Sequence, residues 1–156
     1  MENNIKIDLG ALKVDQLGFV YNDIKKQATL MKSVFILPNF IFSGPKSHSY
    51  IYKGRESEVI LDVGISRIGN TQIELIQLID GECIYNQFLD QGKEGLHHIG
   101  LYVENVQQSI KDFEKIGIKP IQTGRVLRHI FAYMDTTEFF GIIIELLELM
   151  KRKRKR

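Results

Sequence analysis

Four side chains could together do chemistry that none could do alone: Gln16, Glu74, His98 and Glu145. The glutamates stand out first. Glu145 lies within "GIIIELL" and Glu74 within "QIELI", each among apolar neighbours and with no lysine or arginine beside it. A carboxylate buried alone is costly unless it is protonated or finds a cation or hydrogen-bond donors. Two such groups call for a shared cation, and a divalent metal would satisfy both. His98 adds an imidazole and Gln16 an amide oxygen. Three oxygens and one nitrogen suit Zn, Ni, Co or Mn with water positions left open. They do not suit a closed structural zinc site or the two-histidine, one-carboxylate set of iron oxygenases. Taken singly, a histidine on an apolar strand is more often a hydrogen-bonded core residue, and one glutamate could face solvent at a strand edge.

What joins the four is a repeat. Shifting the first half by 82 places sets "VDQLGFVYNDI" on "LHHIGLYVENV", with Gly18 on Gly100, Ile36 on Ile118 and Pro38 on Pro120. Gln16 then pairs with His98, and Asp15 with His97. Aligning "TQIEL" with "IIIEL" pairs Glu74 with Glu145. If the four strands face one cleft, a pseudo-twofold axis brings all four side chains to one point. Strand alternation puts His97 on the face opposite His98, so His97 is read as a packing or supporting residue.

The elements that must position these residues can be read in the same way. "KVDQLGFVY" alternates as a strand, Asn22 and Asp23 offer an N-cap, and "IKKQATLMKSVF" has helical spacing, with Pro38 as its stop. "NFIFSG" reads as a short strand and "PKSHSYIYKGRES" as a polar connection with some β content. "EVILDVGISRI" and "TQIELIQLI" are strands joined by a hairpin at Gly69-Asn70, and "GECIYNQFLDQGKEG" holds one short helix. The order then restarts. "LHHIGLYV" is a strand, Asn105 caps "VQQSIKDFEKIG" before Gly117, and "IKPIQTGR", "IFAYMDT" and "GIIIELLEL" are strands. The fold class is therefore α+β, two tandem βαβββ modules whose curved sheets enclose a cleft. Residues 1–12 read as a lead, 13–150 as one domain (modules 13–82 and 93–150) and 151–156 as a basic tail.

Composition narrows the function classes. The 156 residues are 44% hydrophobic and 26% charged, which fits a folded domain. The longest apolar stretches fall short of a membrane span, and "MENNIKIDLG" lacks the apolar core of a signal peptide. Cys83 is the single cysteine, so no intrachain disulfide forms and a cytoplasmic setting is expected. The net charge of +2 belongs to the tail "KRKRKR". Setting those six aside leaves 15 lysines and arginines against 19 acidic residues, so the body is acidic. The tail repels itself and is expected to be a disordered, solubilising end rather than a nucleic-acid contact.

The segments "VDQLGFVYNDI", "GNTQIELIQ", "GLHHIGLYVENV" and "FAYMDTTEFFGIIIELLE" resemble the vicinal oxygen chelate superfamily, the glyoxalase, bleomycin-resistance and dioxygenase group, from about Lys13 to Glu148. The closest resemblance is to methylmalonyl-CoA epimerase-like and glyoxalase I-like members. It implies metal ligation by Gln16, Glu74, His98 and Glu145. Gln at the first position is similar to eukaryotic glyoxalase I and departs from the His of the epimerase pattern. The glutathione contacts do not carry over: Val20, Leu78 and Glu94 stand at those positions.

The expected function is thus a metal-dependent lyase, isomerase or epimerase. It would abstract a proton beside a carbonyl or thioester, with an enediolate stabilised by the metal. Glu145 would take the proton and Glu74 return it on the opposite face, with Asp62 as a further candidate base. Tyr133 and Asp135 are expected to line the substrate pocket. The alternative is a non-catalytic small-molecule binding or resistance protein of the same fold. Expected partners are a small-molecule substrate and a second copy in a homodimer, with no membrane.

Overall fold

A computed structural model describes residues 5–153. Nine strands form one sheet: β1 Gln16–Val20, β2 Ile41–Phe42, β3 Lys46–Tyr52, β4 Arg55–Ile68, β5 Thr71–Gly81, β6 Gly95–Tyr102, β7 Pro120–Val126, β8 His129–Met134 and β9 Ile143–Leu149. Four helices accompany them: α1 Ile24–Val34, α2 Ile84–Asp90, α3 Val106–Glu114 and α4 Thr137–Phe140. The strand order is β2-β4-β3-β7-β8-β9-β6-β1-β5, and β5 also pairs with β4. Eight strands therefore close into a ring, with β2 continuing the β3 edge of β4. Closure removes free sheet edges. It also gives the βαβββ order twice, as β1-α1-β3-β4-β5 and β6-α3-β7-β8-β9.

Each module pairs its first strand in parallel with its last, β1 with β5 and β6 with β9. The modules meet through five antiparallel residue pairs between β1 and β6, and through two between β3 and β7. Inside the ring lies an aromatic-rich core that includes Tyr50, Tyr52, Phe131 and Tyr133, closed at one end by Ile84 and Tyr85 of α2. The helices cover the outer face. α1 lays Ile24 and Ala28 on Ile73 and Leu75 of β5. α3 lays Val106, Ile110 and Phe113 on Ala132 and Met134 of β8 and Ile144 and Leu146 of β9. Ile7, Leu9 and Leu12 of the lead pack against this second cluster.

The helix starts are repeat-related too. Asp23 and Asn105 cap α1 and α3 by accepting from the backbone N–H three residues on, at 3.0 and 2.9 Å. Gly117, at φ 82°, lies just past α3 in the conformation glycine adopts most readily. Gly69-Asn70 turns β4 into β5, with Gly69 at φ 57°.

The segment expected to be a polar connection with some β content holds a full seven-residue strand. In β3, Tyr50 and Tyr52 turn inward while Lys46, Ser47 and Ser49 stay exposed, so one wet face hides the alternation. Its hairpin to β4 is Lys53-Gly54, both at positive φ (49° and 78°), the twist a two-residue hairpin needs. "NFIFSG" contributes only the two residues of β2. The shift of 82 therefore holds through the first strands and helices and then fails. Pro38 lies in irregular chain, whereas Pro120 opens β7.

The basic tail is exposed at Lys151, Arg152 and Lys153; its last three residues, and residues 1–4 of the lead, lie outside the described part. Among the described residues no helix is long and apolar enough to cross a membrane.

Candidate metal centre

Register explains how four strands bring their side chains to one point. Across the inner face, His98, Gly18 and Glu74 stand side by side on β6, β1 and β5. Gln16, Gly100 and Glu145 stand side by side on β1, β6 and β9. The two rows are related by the repeat, and each has a glycine in its middle. Those glycines make the room. A Cβ on Gly18 would lie 2.0 Å from Cε1 and 2.1 Å from Nε2 of His98. A Cβ on Gly100 would lie 2.9 Å from Gln16 Cβ and 3.0 Å from its Oε1. Neither glycine has positive φ, so both are there for space and not for backbone conformation.

The result is a tight polar cluster inside the ring. His98 Nε2 lies 3.2 Å from Glu145 Oε2 and 3.5 Å from Glu74 Oε2. One ligand atom from each of Glu74, His98 and Glu145 falls within 4.8 Å of the others, a group that could hold a metal. His98 is fully buried and Glu145 nearly so, whereas 18% of the Glu74 side chain is exposed. Glu74 is therefore the cluster's opening to solvent.

The donor set passes a direct test of fit. Gln16 Oε1, His98 Nε2 and Glu145 Oε2 are all buried and make no hydrogen bond. The His98–glutamate contacts are within ion-pair reach but lack hydrogen-bond geometry. Gln16 is held the right way round, because its Nε2 donates to Gln72 Oε1 at 2.6 Å and leaves Oε1 free. Buried polar atoms are nearly always satisfied, so three orphans on one cluster point to an absent partner. Charge points the same way. A protonated His98 neutralises one carboxylate and leaves the second uncompensated. A divalent ion with neutral His98 and Gln16 balances both.

The electrostatics match this arrangement. Burial pushes the His98 imidazole down, but the Glu145 and Glu74 carboxylates outweigh it and hold the group up at about 9. Glu145 is raised, burial acting most strongly and His98 pulling the other way. Tyr133 packs edge-on against His98, with ring centres 4.9 Å apart, and its hydroxyl lies 2.6 Å from that of Tyr85. Burial drives both phenols well above their usual range.

His97 departs from the expectation. The β1–β6 register slips so that Gly18 faces His98 and Phe19 faces Leu96, leaving His97 as the extra residue of a bulge. Alternation breaks there, and His97 turns toward the same aromatic core as His98. Its ring lies against Tyr85, Phe88 and Tyr133, and its Nδ1 is 3.1 Å from Nδ1 of His98. Burial first and His98 second push His97 down to about 3, so it is neutral. It can accept the Nδ1–H of His98, which leaves His98 Nε2 free to ligate.

The remaining candidates fall in different places. Tyr133 is at the cluster. Asp135 is exposed and lines a cleft of about 490 Å³ at the α2 end of the ring. None of Gln16, Glu74, His98 or Glu145 lines that cleft; only His97 of this neighbourhood reaches it. Asp62 is buried between Leu61 and Val63, which face the interior, so alternation sends it to the outer face, away from the cluster. Val20 and Leu78 belong to the apolar interior, and Glu94 accepts from the Asn22 backbone N–H at 2.7 Å. Cys83 is free and buried, its thiol pushed up to about 11 by burial.

Several solved structures share this fold. A hypothetical protein from Bacillus halodurans C-125 aligns at TM-score 0.65 and 19% identity, over 93% of this chain and 99% of its own. Methylmalonyl-CoA epimerase from Mycobacterium tuberculosis aligns at 0.64 and 16%, over 90% and 88%. A variant of the Streptomyces coelicolor epimerase, in complex with 2-nitronate-propionyl-CoA, aligns at 0.65 and 14%, over 90% and 98%. At such identities the likeness shows the fold alone. A search of curated proteins finds no match. The family profile described as Glyoxalase/Bleomycin resistance protein/Dioxygenase superfamily matches residues 15–133, most of the chain and three of the four repeat-related positions. With the doubled βαβββ ring and the paired rows of its inner face, this chain belongs to the Glyoxalase/Bleomycin resistance protein/Dioxygenase superfamily.

Proposed function

We propose that this protein is a metal-dependent enzyme that moves a proton at the carbon beside a carbonyl or thioester, as an epimerase, isomerase or lyase. The observation that carries this reading is the trio of buried orphan atoms, Gln16 Oε1, His98 Nε2 and Glu145 Oε2, beside the half-buried Glu74. In this reading those four residues hold Zn, Ni, Co or Mn. A bound divalent ion supplies positive charge for an oxyanion that develops on the substrate.

The chain's own residues supply the rest. Glu145 is buried with a raised pKa, which suits a group that accepts a proton and later gives it up. Glu74, the repeat-related partner of Glu145, would serve the opposite face of the same carbon. His97 fixes the tautomer of His98 through the Nδ1 contact. Tyr85 and Tyr133 wall the cluster with rings and paired hydroxyls, which keeps water low around the exchanging proton. The substrate is a small molecule, the working form a homodimer and, with one free cysteine, the compartment the cytoplasm.

The experiment is proton exchange in D₂O. A 2-methyl-branched acyl thioester and a hemithioacetal are incubated with metal-loaded protein and followed by NMR. Deuterium entering the carbon beside the carbonyl, lost in Glu145→Gln, is the expected result. A metal-loaded protein that exchanges neither class would contradict the proposal. A second reading, a non-catalytic binding or resistance protein of this fold, is favoured by the packed interior. Tyr50, Tyr52, Phe131 and Tyr133 pack within the ring, and 18% of the Glu74 side chain is exposed. Metal-free protein that binds an apolar ligand at the ring interior would support it.

A further inference from the structure

The cleft at the α2 end has a wall chemistry unlike the metal cluster. Three lysines line it from three separate turns: Lys53 at the β3–β4 hairpin, Lys93 between α2 and β6, and Lys119 just before β7. All three are exposed, and among the described residues none has a carboxylate within ion-pair distance. The single acid in the lining is Asp135. The lining therefore carries a net +2 in a body whose acidic residues outnumber its basic ones once the tail is set aside. Like charges gathered in a cleft on an oppositely charged body are unfavourable unless an anion is drawn in, because the cleft focuses their field.

The lining is also partly apolar: Ile84 and Phe88 of α2, Leu96, and Ile143 of β9 contribute to it, and Leu96 is 44% exposed. Gln87 of α2 and Gln91, which caps the end of that helix, add amide groups to the lining. A cavity of about 490 Å³ is the size that takes a small organic ligand.

We infer that this cleft is a second binding site, separate from the metal cluster, for a small dianion carried on an apolar body, such as a phosphate monoester or a dicarboxylate. The apolar part lies on Ile84, Phe88 and Leu96, and the charged head meets Lys53, Lys93 and Lys119. Lysine suits this role as a set of mobile point charges that several anionic heads can satisfy. The site does not need a metal, since no candidate ligand of the ion lines it.

The probe is 1-naphthyl phosphate, with 1-naphthol as its uncharged counterpart, titrated into chelator-treated full-length protein by calorimetry. One equivalent of the phosphate should bind, with affinity falling about tenfold or more between low and high salt. Naphthol should bind at least tenfold more weakly. The double change Lys93→Ala/Lys119→Ala should weaken the phosphate at least tenfold. Lys13→Ala, which removes a lysine already paired with Asp15, should change nothing. Equal binding of naphthol and its phosphate would overturn the inference, since an apolar groove between the lead and α3 would bind both alike. So would a double variant that binds as the parent does, or an equal loss in Lys13→Ala. All readings are taken without metal, so a failed metal proposal leaves this outcome unaffected.

Discussion

Gly18→Ala adds one carbon at the place where the cluster has least room. That carbon would sit 2.0 Å from His98 Cε1, 2.1 Å from Nε2 and 2.5 Å from Nδ1. Contacts between non-bonded carbons settle near 3.5–4.0 Å, so the ring must retreat by roughly 1.5 Å. It has nowhere easy to go: His98 is fully buried, with Tyr133 and His97 packed edge-on against it. Overpacking of this kind costs about 1–3 kcal/mol. For a domain of this size that lowers Tm by about 2–12 °C. The effect on metal binding is larger. Ligand distances tolerate about 0.2 Å, so a retreat of that size removes the imidazole as a ligand. Changes that only disturb a ligand's support cost about 10–100-fold in affinity, and loss of the ligand itself should exceed that. The assay pairs a competitive chelator titration with thermal unfolding. Gly10→Ala is the control, because its new carbon meets only Asp8 Oδ1 at an ordinary 3.4 Å. A Gly18→Ala protein with parental metal affinity and Tm would refute the reasoning from register to site.

Further outcomes follow from the same geometry. His97→Phe keeps the aromatic packing but removes the acceptor for His98 Nδ1–H; metal affinity should fall about 10–100-fold by chelator competition while Tm moves little. Without metal, His98 held up at about 9 adds stability that is complete below its unfolded value near 6.5 and lost as pH rises through about 9. Glu145, also raised, acts in the same direction. Chelator-treated protein should therefore lose Tm from pH 6 to 9.5, and a rising Tm would contradict the carboxylate contacts that hold His98 up. Metal affinity should instead rise about tenfold per pH unit over much of that range, as the ion displaces the His98 proton. Removal of residues 151–156 should leave metal content and deuterium exchange unchanged, as measured by the assays already described.

The doubled βαβββ fold was legible because its determinants are local and repeated. Gly18 and Gly100, Asp23 and Asn105, and Glu74 and Glu145 each occur twice at matching places, and a motif seen twice resists coincidence. β3 was only partly legible, because Tyr50 and Tyr52 are its only buried residues and its exposed Lys46, Ser47 and Ser49 read as a polar connection. The bulge at His97 was invisible for a different reason. Alternation is a property of one strand, whereas a bulge is set by the register of two, here by how β1 meets β6 around Gly18. Asp135, just past the end of β8, lines the cleft at the α2 end, whereas Tyr133 within β8 packs at the metal cluster. The lysine-lined cleft had no sequence signal, since Lys53, Lys93 and Lys119 are brought together only by ring closure.

The central claim is that Gln16, Glu74, His98 and Glu145 hold a divalent ion. Elemental analysis of protein purified without chelators tests it most directly, with His98→Ala and Glu145→Gln measured alongside. About one equivalent of Zn, Ni, Co or Mn per chain is expected, falling below about a tenth of that in either variant while both stay folded. Metal retained in both variants, or a parent protein that takes up none when offered each ion, would contradict it.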